Sequence, residues 1–202
     1  MTGKVDNDKA DGKGKEEKSP GPKRLLAKIS LTALFAALIA AGAFLIIPVG
    51  PVPIAIQNLL ALLAGLVLGP VLGAAAVGLY LLAGILNLPV FAGGTGGIAR
   101  FAGPTGGYLV GYLFAAVIAG LIAGRPKAKT PLFRIIMAVI AGFLIIYVPG
   151  VAWLKISRNL DWTRALVAGF TPFIIGDILK GIAAVFIAPR LRRIAAGHLN
   201  EQ

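Results

Sequence analysis

The sequence has no cysteine, one histidine and few acidic residues outside its ends. The absence of cysteine excludes disulfides and thiolate metal sites. His198 lies in the C-terminal tail, so no second histidine is available for a metal site or a catalytic dyad. We therefore predict that the protein holds neither a metal ion nor a cofactor.

The acidic residues are placed unevenly along the chain. Of the 8 acids, 5 lie in the first 17 residues and Glu201 lies at the end, which leaves Asp161 and Asp177 in the body. The net charge of +12 comes from basic residues that lie between apolar runs. This distribution is typical of membrane topology signals and argues against nucleic-acid binding, because no soluble basic face exists.

Apolar residues dominate the rest of the chain. Hydrophobic residues make up 57% and charged residues 14%, whereas soluble domains are about half apolar and about a quarter charged. Because open strand edges cannot be satisfied in lipid, each apolar run predicts a helix. We expect an all-α membrane protein, a bundle of six transmembrane helices over about 25–47, 54–68, 71–88, 107–124, 132–149 and 163–189. A span needs ~20 residues, so the second run is short.

The charges also divide the chain into three parts. Residues 1–22 predict a disordered, charged cytoplasmic tail, residues 23–193 the six-helix domain, and residues 194–202 a cytoplasmic C-terminal tail. With the N-terminus inside, 15 lysines and arginines face the cytoplasm and 4 face outward. This asymmetry predicts a multi-pass protein with both termini cytoplasmic.

Two connections stand out. Residues 88–107, LPVFAGGTGGIARFAGPTGG, are apolar and rich in glycine with one charge, so we expect a structured external loop between helices 3 and 4 that covers or enters the bundle mouth. Three prolines in residues 48–53 predict a second, rigid external loop. The glycine strings do not form a P-loop, so any energy from ATP must come from another subunit.

Asp177 and Lys180 lie inside the last apolar segment. A charge at membrane depth costs at least ~2.5–3.5 kcal/mol, so it normally faces a cavity or a partner. Their spacing of three residues places both side chains on one helix face. The pair is either a self-neutralising structural ion pair or one wall of a polar ligand site. Pro172 disturbs the helix five residues earlier and predicts a bend near the pair.

Arg100 and Asn87 are further candidates near the glycine-rich segment. The Arg100 guanidinium suits a carboxylate or a carbonyl oxygen, although a surface arginine remains an alternative. Asn87 is either a turn former or a ligand at the same mouth. Four more side chains are weaker candidates, as pocket residues or, for the tyrosines, as interfacial belt residues: Gln57, Tyr80, Tyr108 and Tyr147.

Helix 1 carries a ladder of alanines at residues 33, 36, 37, 40 and 41. Small residues four apart let another helix approach closely. Gly65/Gly69 and Gly120/Gly124 show the same spacing. Packing inside the bundle and docking of a partner protein on the face of Ala36 and Ala40 are both open interpretations.

Several of these motifs, in this order, resemble the BioY family over about residues 30–190. The motifs are Pro51-Val52-Pro53-Ile54 with Gln57-Asn58, Leu68-Gly69-Pro70, Leu88-Pro89-Val90-Phe91, Gly103-Pro104-Thr105-Gly106-Gly107-Tyr108, and Gly176-Asp177-x-x-Lys180. BioY proteins are the biotin-specific substrate-binding (S) subunits of energy-coupling-factor (ECF) transporters.

The resemblance implies a non-enzymatic six-helix subunit in the bacterial plasma membrane that captures biotin near the external side. Its implied partners are biotin, a transmembrane coupling protein and two cytoplasmic ATPases. In the family, residues matching Asp177, Lys180, Arg100 and Asn87 contact the vitamin, and the helix 1 alanines meet the coupling protein. The resemblance does not assign which cation meets the ureido ring and which the carboxylate.

Two other functions remain as alternatives. The first is an S subunit for another vitamin, although a thiamine or riboflavin pocket would be expected to show more than the 8% aromatic residues present. The second is an intramembrane enzyme with an aspartate dyad. Asp161 argues against it, because it lies between Arg158 and Arg164 in a charged connection rather than in a helix.

Overall fold

The computed structural model describes residues 21–47, 52, 54–127 and 129–200. The charged tail predicted over residues 1–22 and the proline-rich loop predicted over residues 48–53 lie almost entirely outside these ranges.

The described chain is a bundle of α-helices with one small hairpin. Strand β1 (Ile46–Ile47) pairs antiparallel with β2 (Ile54–Ala55), and a 3₁₀ turn occupies Thr171–Phe173. The helices are α1 (Pro22–Gly42), α2 (Gln57–Leu68), α3 (Pro70–Ile85), α4 (Ala99–Ala102), α5 (Gly106–Ala123), α6 (Leu132–Ser157), α7 (Trp162–Gly169) and α8 (Ile174–Asn200). The all-α class expected from the apolar runs is confirmed.

The long helices are apolar enough to cross a membrane. Four stretches meet the length and hydropathy that a span requires: α1, α5, α6, and the stretch Trp162–Leu199 that includes α7 and α8. Helices α2 and α3 are apolar but have only 12 and 16 residues. Large apolar side chains such as Leu34, Phe114 and Phe186 are exposed on the outer faces. Such an extensive apolar surface is expected of a protein surrounded by lipid.

Two predicted helix ends are wrong near the hairpin. The first helix ends at Gly42 rather than at residue 47, and the second begins at Gln57 rather than at residue 54. The apolar residues between them pair as strands, and the Ile56 N–H also bonds the Leu45 carbonyl at 3.4 Å. β-Branched isoleucines suit this extended pairing, which hydropathy does not distinguish from helix.

Two further ends are wrong because a proline does not stop the helix. Helix α6 continues through Pro149 to Ser157, and α8 continues through Pro189 to Asn200. A proline removes one backbone donor, a loss that neighbouring contacts in a packed bundle can offset. The predicted last segment is instead interrupted earlier, because a 3₁₀ turn that contains Pro172 separates α7 from α8. The disturbance of the helix predicted at Pro172 is confirmed as this interruption.

Helix α2 is the centre of the bundle, and all but one of its residues are buried. A Cβ atom at Gly65 would overlap the backbone of Ala116 on α5, and one at Gly73 on α3 would lie 2.6 Å from the Gly65 Cα. The absence of side chains at these positions lets three helix backbones meet. The glycine spacing seen in the sequence therefore serves packing around α2 at this point.

A buried arginine joins the C-terminal ends of α2 and α5, at the opposite end of α2 from the hairpin. Arg192 on α8 is fully buried and forms no ion pair within the described residues. Its guanidinium instead donates to five acceptors: the carbonyls of Leu66, Ala123 (3.0 Å), Gly124 (3.1 Å) and Arg125 (2.9 Å), and the Thr130 hydroxyl (3.1 Å). The last carbonyls of a helix lack intrahelical partners, so Arg192 satisfies the ends of α2 and α5 together.

We expect Arg192→Met to destabilise the bundle, because it leaves several buried carbonyls without a donor. Each unsatisfied buried group costs roughly 1–3 kcal/mol, which corresponds to a decrease in Tm on the order of 2–10 °C for a chain of this size. Thermal unfolding in detergent measures the change. Arg193→Met is the matched control, because Arg193 is exposed. Equal Tm values for the two variants would contradict the role of Arg192.

Candidate functional site

A cluster of four polar side chains lies between the central helix and two of its neighbours. Asp177 belongs to the first turn of α8, where a carboxylate is favoured by the helix dipole. Its Oδ1 accepts from Lys180 Nζ at 3.0 Å and from Asn58 Nδ2 at 2.8 Å, and its Oδ2 accepts from the Tyr147 hydroxyl. We call Asp177, Lys180, Asn58 and Tyr147 the polar cluster.

Lys180 is equally well satisfied. Its ammonium group carries three donors, which reach the Ala55 carbonyl at 2.9 Å, Asn58 Oδ1 at 2.9 Å and Asp177 Oδ1 at 3.0 Å. The side chains of Lys180 and Asp177 are only 14% and 8% exposed. The pair therefore neutralises itself inside the bundle, as the structural interpretation of the motif requires.

The polar cluster also forms one wall of a cavity. Its ion pair is therefore compatible with a second role beside a bound ligand. The cavity has a volume of about 190 Å³. Lys180, Asn58 and Tyr147 line it, whereas Asp177 lies behind them and is not part of its surface. The opposite walls are largely aromatic, with Phe91, Tyr108, Tyr112 and Phe173. A small apolar chamber with a few polar groups at fixed positions is typical of a small-molecule site.

The glycine-rich segment forms another wall of this cavity. Phe91, Thr95 and Arg100 line it, and Phe91 and Thr95 form an isolated bridge with bonds of 2.8 and 3.1 Å. Gly97 has φ +90, a conformation that glycine adopts at no steric cost, and its N–H bonds the Gly84 carbonyl at 2.7 Å. The segment also contains α4, a short helix that the sequence did not predict.

The structure brings some of the predicted site residues together and separates others. Lys180, Arg100, Tyr108 and Tyr147 line the cavity. Gln57 is buried away from it, where its amide donates to the Tyr80 hydroxyl at 2.8 Å and to the Val90 carbonyl at 3.2 Å. These two bonds fasten α2 to α3 and to the glycine-rich segment.

Asn87 lies in the turn that follows α3, exposed and at φ +70. This is the position of a left-handed turn residue, which asparagine tolerates better than most. It is not among the residues that line the cavity. Its role in binding stays a prediction, as do the roles of the residues that line the cavity.

Asn58, Tyr112 and Arg158 are among the cavity-wall residues that sequence reasoning missed or singled out too weakly. Asn58 was grouped with Gln57, although it is Asn58 that reaches the cavity. Tyr112 follows Tyr108 by four residues, a spacing that places both on one face of α5 and could have indicated it. Arg158 had no such signal, because α6 was expected to end at residue 149.

The alanine ladder of helix 1 divides between two faces. Ala36 and Ala40 are partly buried against the core, whereas the alanines at 33, 37 and 41 are exposed. Docking on Ala36 and Ala40 stays a prediction.

Asp161 caps α7, accepts from the Arg164 N–H at 2.7 Å and pairs with its guanidinium at 3.2 Å, so it lies outside the polar cluster. Among the described residues, no group of acids and histidines could hold a metal ion.

Comparison with known proteins identifies the family. The model of the BioY family matches residues 14–197, which is most of the chain. The chain belongs to the BioY family. Similar BioY proteins include the probable biotin transporter BioY of Pyrococcus horikoshii, 43% identical over 82% of this chain and 96% of the relative. The biotin transporter BioY2 of Lactococcus lactis is 41% identical over 87% of this chain and 95% of the relative.

A solved structure matches the fold as well. It is described as the S-component for biotin from an ECF-type ABC transporter, and it superposes with a TM-score of 0.79 at 32% identity. The match covers 87% of this chain and 95% of the solved one. This BioY chain therefore has the helical architecture of an S component.

We expect Tyr147→Phe to destabilise this BioY chain, because it removes one donor from a buried carboxylate. A hydrogen bond to a charged group contributes ~1.5–3 kcal/mol. The ring remains, with its edge contact to Phe170 at a centroid distance of 4.7 Å. Thermal unfolding in nanodiscs measures the loss.

Tyr112→Phe is the control for this substitution. The Tyr112 hydroxyl has no hydrogen-bond partner among the described residues, so its removal should leave the unfolding temperature almost unchanged. A Tyr147→Phe variant as stable as Tyr112→Phe would show that the hydroxyl does not support Asp177.

Proposed function

We propose that this chain binds biotin at the outer side of a plasma membrane and delivers it as the S component of an ECF-type transporter. The observation that carries the proposal is the cavity walled by the polar cluster and by aromatic side chains, in a chain of the BioY family. The P. horikoshii relative and the solved S-component are both described as biotin proteins, which supports the same ligand.

The ureido ring of biotin fits the polar cluster. The ring carries two N–H donors and one carbonyl acceptor. Lys180 and Asn58 both face the cavity, and the Asn58 amide has two N–H donors, of which one reaches Asp177 and the other is available to the ring carbonyl. Asp177 lies behind this wall, and its three hydrogen bonds hold Asn58, Tyr147 and Lys180 in the positions that face the ring.

The rest of the vitamin matches the remaining walls. The thiophane ring is apolar and suits the aromatic walls formed by Phe91, Tyr108 and Phe173. The valerate carboxylate needs a cation. Arg100 lines the cavity, and its guanidinium makes no hydrogen bond or ion pair within the described residues. We assign the carboxylate to Arg100 and the ureido ring to the polar cluster.

We infer that six helices cross the membrane: α1, α2, α3, α5, α6 and α8. At 1.5 Å per residue α2 is only about 18 Å long, against a hydrocarbon core of ~30 Å. The short strand β2 before α2 is tolerated at membrane depth because Ala55 and the helix that follows are buried in protein. The excess of basic residues on one side supports a cytoplasmic position for both termini.

This sequence contains no P-loop, which supports an energy source in other subunits. We propose a transmembrane coupling protein with two cytoplasmic ATPases, which would contact α1 on the small-residue face of Ala36 and Ala40. Both alanines are only partly buried, so part of their surface is open to a partner helix.

Labelling of single cysteines tests the orientation, because the chain has no native cysteine. Thr163 near the start of α7 and His198 near the end of α8 are both exposed. In intact cells, a membrane-impermeant maleimide should label Thr163→Cys, whereas His198→Cys should react only after the membrane is opened. The reverse pattern would contradict the proposed topology.

Substitution of Asp177 tests the ligand. We expect Asp177→Asn to weaken biotin binding at least tenfold, because it removes the charge that orients Lys180, Asn58 and Tyr147. Titration of labelled biotin into purified protein measures the affinity, and gel filtration checks that the variant folds. Asp161→Asn makes the same chemical change at an exposed acid and should bind biotin normally.

Competition with other vitamins in the same titration tests the specificity for biotin. Unlabelled biotin should displace the labelled ligand, whereas thiamine and riboflavin should not. Displacement by either of these vitamins, or unchanged biotin affinity in Asp177→Asn, would refute the assignment of the polar cluster to biotin.

A further inference from the structure

Arg158 lies at the border between the cavity and the exposed surface. No motif in the sequence indicated this residue. It caps the C-terminal end of α6, and its side chain lines the cavity. It also lines an adjoining open depression of about 580 Å³ together with Leu160, Arg164 and Ala168. Among the described residues, Arg158 alone lines both spaces, so it lies where the cavity meets the exposed surface.

The charge of Arg158 is not balanced by a neighbouring acid. Its side chain makes no hydrogen bond or ion pair within residues 21–47, 52, 54–127 and 129–200, whereas the nearby Arg164 is paired with Asp161 at 3.2 Å. A cation is favoured at a helix C-terminus, where the backbone carbonyls point outward. The position therefore keeps a cation at the cavity entrance without an acidic partner.

No other charged group of the cavity wall neutralises Arg158, so its guanidinium can attract an anion. Lys180 is neutralised by Asp177, and its three donors are occupied. No acidic side chain forms part of the described cavity wall. The Trp153 indole N–H bonds the Gly103 carbonyl at 2.9 Å, which fastens the segment carrying Arg100 to the end of α6. Two unpaired arginines, Arg100 and Arg158, are thus held on the same cavity.

We propose that Arg158 is a specificity-determining residue that attracts the carboxylate of the incoming substrate at the cavity entrance and favours anionic over neutral ligands. The inference rests on the proposed function, because it concerns how the same cavity selects its ligand. A guanidinium presents paired donors that match a carboxylate. Its attraction extends over about one Debye length, ~10 Å at 0.1 M salt, and raises the association rate.

The test compares biotin with its neutral primary amide. Both carry the same rings, but only biotin has a carboxylate. Affinities and association rates are measured for the wild-type protein in nanodiscs of neutral lipid at low and high salt. The variants are Arg158→Gln, Arg158→Lys and, as the matched control, Arg164→Gln, whose arginine lines only the outer depression.

We expect Arg158→Gln to weaken biotin binding about fivefold, mainly through slower association, since an exposed charge is screened by solvent. Binding of the amide should not change. Arg158→Lys keeps the charge and should retain most of the association rate, and Arg164→Gln should behave as wild type. The difference between wild type and Arg158→Gln should shrink at high salt.

The other outcomes would contradict either the role of Arg158 or the proposed function. Equal loss for biotin and its amide, or no loss for either, would overturn the role of Arg158 and leave the proposed function intact. An equal effect of Arg164→Gln would show that general surface charge is responsible. A wild-type protein that binds neither compound would contradict the proposed function itself, and with it the inference.

Discussion

Asp177 is a carboxylate inside an apolar bundle, and the arrangement around it follows from the need to pair that charge. Lys180 supplies the opposite charge from the same helix, whereas Asn58 and Tyr147 supply neutral donors from α2 and α6. Burial of a charge is tolerated only when partners surround it. This requirement joins α2, α6 and α8 at one point, and it keeps polar atoms at one wall of an otherwise apolar cavity.

The two ends of the central helix are held by different chemistry. At its N-terminal end, Gln57 and Asn58 reach α3, α8 and the glycine-rich segment through side-chain hydrogen bonds. At its C-terminal end, the Arg192 guanidinium donates hydrogen bonds to carbonyl groups of α2, of α5 and of the chain that follows α5. In the middle, Gly65 lets neighbouring backbones approach. A short helix is therefore fixed at both ends, which gives the cavity beside its N-terminus a stable wall.

The predictions from sequence succeeded where a local pattern carries the physics. The apolar runs indicated the helices, Pro172 indicated the interruption before α8, and the spacing of Asp177 and Lys180 indicated their ion pair, which is present at 3.0 Å. They failed at Pro149 and Pro189, because whether a helix continues past a proline depends on contacts with other helices. The strands after α1 were missed for a similar reason, since their pairing involves residues on either side of a connection.

The sequence by itself determined that this is a helical membrane protein with a polar pair in its last helix, because hydropathy and residue spacing are local properties. Its motifs also indicated the family. Only the tertiary structure decided which side chains share the cavity. It placed Asn58, Tyr112 and Arg158 on the cavity wall, and it placed Gln57, Tyr80 and Asn87 away from it. These positions depend on how helices distant in sequence rotate and pack against one another, and no single segment of the chain contains that information.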